Sequence, residues 1–185
     1  MAALIMLAMA ARADAQNTNN GSSDAFAARR WHADFSVNAA LEAWNYNGSH
    51  EEIYGLTQGV TYGVRDGLLV IVRQRLAYVS QRMNDSRVLG LTAGLRGRVH
   101  RRGRTSAFLQ FDLGISDAAI ATPPRGTRFN YLAAGGGGFL ISLGTRLHLV
   151  TTLELLHISN ASVKGPDRNP DIEAIGPSLG LIVGF

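Results

Sequence analysis

At 185 residues, and with no break in composition, the chain has the length of a single domain. It contains no cysteine, which excludes disulfides and thiolate metal sites, and its five histidines show neither the HxxxH nor the HExxH spacing of zinc motifs. We therefore expect neither a metal nor another cofactor. The net charge of +4 comes almost entirely from arginine, whose planar fork binds phosphates and carboxylates. Composition thus leaves both nucleic acid and anionic lipid open as partners.

The first thirty residues show no strand pattern. An uncharged apolar run of about ten residues opens the chain, too short for a membrane-spanning helix, and Ala13 and Ala15 then form an A-x-A cleavage signature. This arrangement predicts a secretory signal peptide over residues 1–15 and hence export. Residues 16–30 are polar and rich in Asn, Gly and Ser, which predicts a loose mature N-terminus. Residues 31–185 remain to form the folded domain.

From residue 31 onward, apolar side chains alternate with polar or small ones, and this period of two predicts β-strands rather than helices. The pattern recurs eight times before the end of the chain. The predicted strands are Ala33–Ala43, Tyr54–Tyr62, Val70–Tyr78, Leu89–Val99, Ala107–Ile115, Phe129–Leu143, Leu147–Leu155 and Ile175–Phe185.

The connections between these strands alternate in length. Three are tight turns, around Asp66-Gly67, Arg102-Gly103 and Gly144, and four are longer loops, at 45–51, 80–87, 116–127 and 160–171. Short turns on one side and long loops on the other are typical of outer-membrane barrels, whose long loops lie outside the cell. The sequence therefore predicts an eight-stranded antiparallel transmembrane β-barrel in the bacterial outer membrane.

The two faces of the predicted strands differ sharply in polarity. One face is apolar, and several aromatic residues fall near strand ends, where interfacial aromatic girdles belong: Tyr54, Tyr62, Tyr78, Tyr131 and Trp44. The other face carries charges that could pair inside a small lumen: Asp34, Glu42, Arg73, Arg75, Arg96, Arg98, Asp112 and Glu154. The alternative is a soluble lipocalin-like barrel, which would need this charged face to point outward and its apolar face to hold a ligand.

A histidine, a serine and a carboxylate converge at the end of the last two strands. His157 and Ser159 continue the apolar, lipid-facing series of strand seven, and Glu173 belongs to the same face of strand eight. Residues two apart on one face are about 6.5–7 Å apart, a gap that an imidazole can largely span. Glu173, across the ladder, could then reach the other imidazole nitrogen. This is the relation of nucleophile, base and orienting acid in a hydrolytic triad.

The run Leu156-His157-Ile158-Ser159-Asn160-Ala161, followed by Asn169-Pro170-Asp171-Ile172-Glu173, resembles the C-terminal signature of the lipid A 3-O-deacylase (PagL-type, acyloxyacyl hydrolase) family. The resemblance implies an eight-stranded outer-membrane barrel that acts as a serine esterase. It implies Ser159 as the nucleophile, His157 as the general base, Glu173 as the orienting acid and Asn160 as an oxyanion donor. The chain departs from the family pattern at Ser162, where the family usually has glycine, and its loop to the acid is longer by about two residues.

The substrate implied by the resemblance is lipid A, within the lipopolysaccharide of the outer leaflet. Four basic residues on external loops are the candidates for binding its phosphates: Arg125, Arg128, Lys164 and Arg168. Nucleic acid is not expected as a partner of an exported barrel. The sequence leaves the oligomeric state open, with a homodimer among the alternatives.

Two other functions compete with the deacylase. A non-catalytic barrel, structural or adhesive, would use its long loops for binding and would have no need of Ser159. A lipid esterase acting on another acyl ester would share the triad. Outer-membrane phospholipases also have a His–Ser arrangement, but they are built from about twelve strands, more than this chain supplies.

Overall fold

The computed structural model describes residues 24–44, 46–163, 165 and 169–185. These residues form eight strands and one short helix: β1 Trp31–Glu42, α1 Tyr46–Ser49, β2 Glu52–Arg65, β3 Leu68–Ser80, β4 Ser86–Arg102, β5 Thr105–Ala118, β6 Phe129–Ser142, β7 Leu147–Ser159 and β8 Ile172–Gly184. Each strand pairs antiparallel with the next, and β8 pairs with β1, so the sheet closes into a barrel. The predicted eight-stranded antiparallel barrel is confirmed.

The connections follow the predicted alternation of short and long. Gly67 (φ 85°) and Gly103 (φ 58°) occupy the tight turns after β2 and β4, where a left-handed backbone conformation favours glycine. The loop between β3 and β4 is shorter than predicted, because these strands extend to residue 80 and from residue 86. The four-residue helix α1 lies in the first long loop, and no helix in the described part of the chain is long and apolar enough to cross a membrane.

The outward surface of the barrel is apolar and its lumen is charged, as the alternation predicted. Large side chains such as Phe35, Leu56 and Leu113 are about half exposed on the outer wall. Inside, the described ion pairs include Arg73–Asp112, Arg75–Glu154 (2.7 Å) and Arg96–Asp34 (3.1 Å), and Arg75–Asp112 (3.3 Å) and Arg73–Glu154 (3.5 Å) link the first two. These three arginines and three carboxylates balance each other, which is what allows charged side chains to fill a small barrel. An outward charged face, as in a lipocalin-like barrel, is ruled out by their burial.

Residues 24–30 correct the prediction of a loose segment over residues 16–30. Phe26 is fully buried at the end of the barrel, where its ring lies 6.3 Å from that of Phe108. Asp24 accepts hydrogen bonds of 2.7 Å from both Arg98 and Arg101. One buried aromatic ring and one paired carboxylate thus hold a segment whose composition is otherwise polar. Residues 16–23 and the predicted signal peptide, residues 1–15, lie outside the described residues.

The wall between β1 and β8 contains an interruption near Pro177. Pairing of these strands stops after Asn38↔Ser178 and resumes at Leu41↔Ile175 with the same register, so there is no bulge. Proline has no N–H to donate, and Gly176 approaches β1 so closely that a Cβ there would lie 1.8 Å from the carbonyl oxygen of Ala39. The backbones of β1 and β8 therefore meet closely at Gly176, which lies on the buried face of β8.

Candidate active site on the outer wall

His157 and Ser159 lie side by side near the external end of β7. The imidazole Nε2 is 2.9 Å from the Ser159 hydroxyl oxygen, a hydrogen-bonding distance. On the neighbouring strand β6, Ala133 pairs with His157 and Tyr131 pairs with Ser159. The imidazole of His157 is 38% exposed on the outer wall, whereas Ser159 is only 7% exposed. A hydroxyl held against a histidine nitrogen is the arrangement that activates a serine nucleophile.

Glu173 completes the arrangement from the other side of the imidazole. It pairs directly with His157 across the β7–β8 ladder, and its Oε1 is 3.5 Å from His157 Nδ1. This distance is slightly longer than a hydrogen bond, as is common at sites without substrate. The backbone N–H of Glu173 donates to the Glu42 carboxylate at 3.0 Å, which ties the start of β8 to the end of β1. The structure thus brings together the three residues that sequence analysis placed on one face.

A second carboxylate, which sequence analysis did not assign, also faces the imidazole. Asp171 Oδ2 is 4.0 Å from His157 Nδ1, and the Asp171 side chain is 52% exposed. The signal for it was present in the Asn169-Pro170-Asp171 run. Spacing along the chain could not reveal its position, because Asp171 precedes β8 and its direction depends on the conformation of the loop.

The turn after Ser159 has an unusual backbone. Asn160 is buried, and its backbone N–H donates to Asn169 Oδ1 at 2.9 Å, so this N–H is occupied within the loop. Ala161 (φ 49°) and Ser162 (φ 60°) follow in the left-handed region, which L-residues with a Cβ adopt at a cost of about 1–2 kcal/mol each. Ser162, the residue that stands where the deacylase family usually has glycine, therefore occupies a conformation that glycine adopts without strain.

Two of the four predicted phosphate-binding residues can be located. Arg125 is exposed on the loop of residues 119–128, where the adjacent Gly126 packs beside Pro170, next to the candidate site. Arg128 is exposed too, but it donates to the carbonyl oxygen of Ala118 at 2.7 Å and pairs with Asp117 at 3.4 Å. Arg125 is thus better placed than Arg128 to meet a ligand. Lys164 and Arg168 lie outside the described residues.

An apolar groove runs along the outer wall below the candidate site. Its volume is about 660 Å³, and it is lined mainly by apolar side chains and glycines of β1, β6, β7 and β8, among them Val37, Phe139, Leu153 and Leu179. Pro177, which pairs with Leu153, lies four residues along β8 from Glu173, or about 13 Å at the rise of a β-strand. The groove lies where the β1–β8 pairing is interrupted and where β6 carries glycines instead of side chains.

The closed barrel, apolar outer wall and paired lumen charges define a β-barrel of the bacterial outer membrane. Similar solved structures agree: Neisserial surface protein A (14% identity, 84% of this chain and 96% of that chain, TM-score 0.62), OprG from Pseudomonas aeruginosa (12%, 88% and 99%, 0.55) and the outer membrane enzyme PagL (13%, 82% and 98%, 0.55). At these identities the likeness concerns the fold. No family model and no curated protein sequence matches the chain.

Proposed function

We propose that this barrel is a serine esterase that hydrolyses the 3-O-linked acyl chain of lipid A in the outer leaflet. The observation that carries the proposal is the relay from Ser159 Oγ to His157 Nε2 (2.9 Å) and from His157 Nδ1 to Glu173 (3.5 Å), at the external end of the lipid-facing wall. The charges buried in the lumen are already paired with one another and do not explain this relay. A site on the outer wall contacts molecules that lie in the membrane. The resemblance of the last thirty residues to the PagL-type deacylases supplies the substrate and the position of the ester.

In the proposed reaction, Ser159 Oγ attacks the ester carbonyl carbon while His157 Nε2 accepts the hydroxyl proton. The Glu173 carboxylate accepts a hydrogen bond from His157 Nδ1–H, which fixes the orientation of the imidazole. The same carboxylate stabilises the imidazolium that forms. The tetrahedral intermediate collapses as the C–O bond to the sugar breaks, and the Nε2 proton passes to the departing sugar oxygen. His157 Nε2 then takes a proton from water, and the oxygen of that water attacks the acyl carbon. The bond between this carbon and Ser159 Oγ breaks as Nε2 returns the proton to Oγ, which releases the fatty acid and restores the serine.

The developing oxyanion needs hydrogen-bond donors beside Ser159. The backbone N–H of Asn160 is occupied by Asn169, so in this proposal Asn160 contributes its side-chain amide. Ser162 contributes its backbone N–H, presented by the left-handed turn at residues 161 and 162. These assignments follow the family resemblance and the direction of the chain after β7.

The substrate would lie with its acyl chain along the outer wall and its head group among the external loops. The apolar groove beside Leu153 and Pro177 suits a hydrocarbon chain that extends down from the ester. Arg125, Arg128, Lys164 and Arg168 would meet the lipid A phosphates, and of the two located residues Arg125 is less engaged by its own loop than Arg128. Delivery to this membrane requires export, and we assign the signal for it to residues 1–15.

A homodimer is also part of the proposal, and a pair of amides supports it. On the lipid-facing side of β2 and β3, Gln58 Nε2 donates to Gln74 Oε1 at 2.7 Å, and the two residues pair at the middle of their strands. One such bond leaves further amide donors and acceptors in hydrocarbon, where each unsatisfied group costs several kcal/mol. A second copy of this chain, related by a two-fold axis, presents the same donors and acceptors and can satisfy them.

The proposal is tested by incubating the purified, folded barrel with lipid A and identifying the released fatty acid by mass spectrometry. The wild-type chain should release an ester-linked 3-hydroxy acid, whereas Ser159→Ala and His157→Gln should release none. Ser178→Ala, a change inside strand β8, should retain activity. A wild-type chain that releases nothing from lipid A but cleaves other acyl esters would favour the alternative substrate. Inactivity on all esters would favour the non-catalytic barrel.

A further inference from the structure

Two carboxylates, those of Asp171 and Glu173, face His157, whereas a catalytic triad requires only one. His157 Nδ1, an oxygen of Asp171 and an oxygen of Glu173 all lie within 4.8 Å of one another. Zinc binds such nitrogen and oxygen ligands at about 2.0–2.2 Å, which places tetrahedral ligand atoms about 3.4 Å apart. His157 Nδ1 is 3.5 Å from the Glu173 carboxylate and 4.0 Å from the Asp171 carboxylate. Small rotations of these side chains would therefore let all three bind one ion.

The charge around this cluster is unbalanced, unlike that of the lumen. Two further carboxylates, Glu42 and Glu51, lie behind it; Glu42 receives the N–H of Glu173 and interacts electrostatically with both Glu51 and Asp171. Among the salt bridges of the described residues, none joins an arginine or lysine to these four acids. Glu51 is only 2% exposed, and its Oε2 has no hydrogen-bond partner. Buried carboxylates are normally paired or bound to a cation.

We propose that His157, Asp171 and Glu173 form an inhibitory Zn²⁺ site, an inference that rests on the esterase function proposed above. Zinc accepts an imidazole nitrogen together with two carboxylates, whereas Mg²⁺ and Ca²⁺ prefer oxygen ligands and disfavour the imidazole. Water would complete the coordination from the exposed side of Asp171. Glu42 and Glu51 add negative potential behind the ion without reaching it as ligands.

Zinc binding and catalysis exclude each other at this histidine. As a base, the neutral imidazole of His157 must carry its proton on Nδ1, directed at Glu173, and keep the lone pair of Nε2 for the serine proton. Zinc bound to Nδ1 takes the lone pair there, so the single ring proton moves to Nε2. A protonated Nε2 cannot accept the proton of Ser159, and Glu173 is simultaneously drawn to the metal.

The site is tested first by binding alone. Zn²⁺ is titrated calorimetrically into the metal-free full chain in detergent, as wild type and as Ser159→Ala, with Co²⁺ absorption as the second readout. One ion should bind per chain. Asp171→Asn should weaken binding about tenfold or more, by analogy with the loss of partners around zinc sites, whereas His100→Gln, which removes an exposed histidine of β4, should leave it unchanged. Equal affinity in the wild type and Asp171→Asn would overturn the site.

The inhibitory role is tested by ester hydrolysis in the same preparation. Zinc should abolish activity over the concentration range in which it binds, and EDTA should restore it. Asp171→Asn should be about as active as wild type in EDTA and should need correspondingly more zinc for inhibition. Full activity of the zinc-saturated wild type would overturn the inhibition. Lack of hydrolysis by the metal-free wild type would refute the esterase function, whereas the calorimetric titration decides the zinc site independently.

Discussion

Replacing Arg75 by methionine tests whether ion pairing in the lumen holds the barrel together. The guanidinium of Arg75 binds Glu154 through two bonds of 2.7 and 2.8 Å, and the side chains are only 7% and 10% exposed. Arg75→Met would leave Glu154 with Gln110 at 3.2 Å and Arg73 at 3.5 Å. Breaking a buried pair by removing one partner costs about 3–5 kcal/mol. Because Glu154 keeps these two weaker contacts, we expect Arg75→Met to lower the free energy of unfolding by about 3 kcal/mol, at the lower end of that range.

The matched control removes both partners. Arg75→Met with Glu154→Met leaves no uncompensated charge in the pair, and such apolar replacements are often nearly neutral, so the double variant should lie within about 1 kcal/mol of wild type. Urea unfolding from lipid vesicles, followed by the fluorescence of Trp31 and Trp44, measures the free energy of unfolding for each variant. If Arg75→Met lost less than about 1 kcal/mol, or if the double variant were less stable than the single one, the account of the lumen would be refuted.

Three further predictions concern the turn, the N-terminal segment and the outer wall. Ser162→Gly should raise the free energy of unfolding by up to about 1 kcal/mol, because glycine relieves the left-handed strain; lower stability would contradict this. Burial raises the pKa of Asp24, but the hydrogen bond and charge of Arg98 outweigh it and leave that pKa below 3.8. The stability that Asp24 contributes is therefore complete above pH 3.8 and is lost as the pH falls through the lowered pKa. The difference in unfolding free energy between wild type and Asp24→Asn should consequently shrink in acid. A difference that does not change with pH would count against the ion pair. Because the chain has no cysteine, Gln58→Cys should form cross-linked dimers on oxidation. Leu153→Cys, on β7 and three strands away from β2, should not; equal cross-linking of the two would argue against the amide interface.

Most of the barrel could be predicted because lipid and lumen select opposite side chains on alternate positions. The same alternation put His157, Ser159 and Glu173 on one face, and antiparallel return of β8 brought Glu173 opposite His157. Their distances needed the structure, because the register between neighbouring strands decides which residue pairs with which. Their catalytic roles stay predictions.

The features that could not be predicted from the sequence lie in segments where polar and apolar residues do not alternate. Asp171 belongs to a loop, and its approach to His157 depends on backbone conformation rather than on alternation. Phe26 is a single aromatic residue in a polar segment, so its burial at the end of the barrel left no pattern to recognise. Arg128 could be identified as a loop cation, but its pairing with Asp117 arises only when two strand ends meet.

The most direct test of the central claim is the mass spectrum of lipid A from bacteria that express the wild-type chain or Ser159→Ala, with both proteins shown to be folded in the outer membrane. If the barrel is the proposed esterase, lipid A should lose one ester-linked hydroxyacyl group in cells with the wild-type chain and stay intact in cells with the variant. Intact lipid A in both would contradict that proposal, and loss of the acyl group in both would show that Ser159 is not the nucleophile.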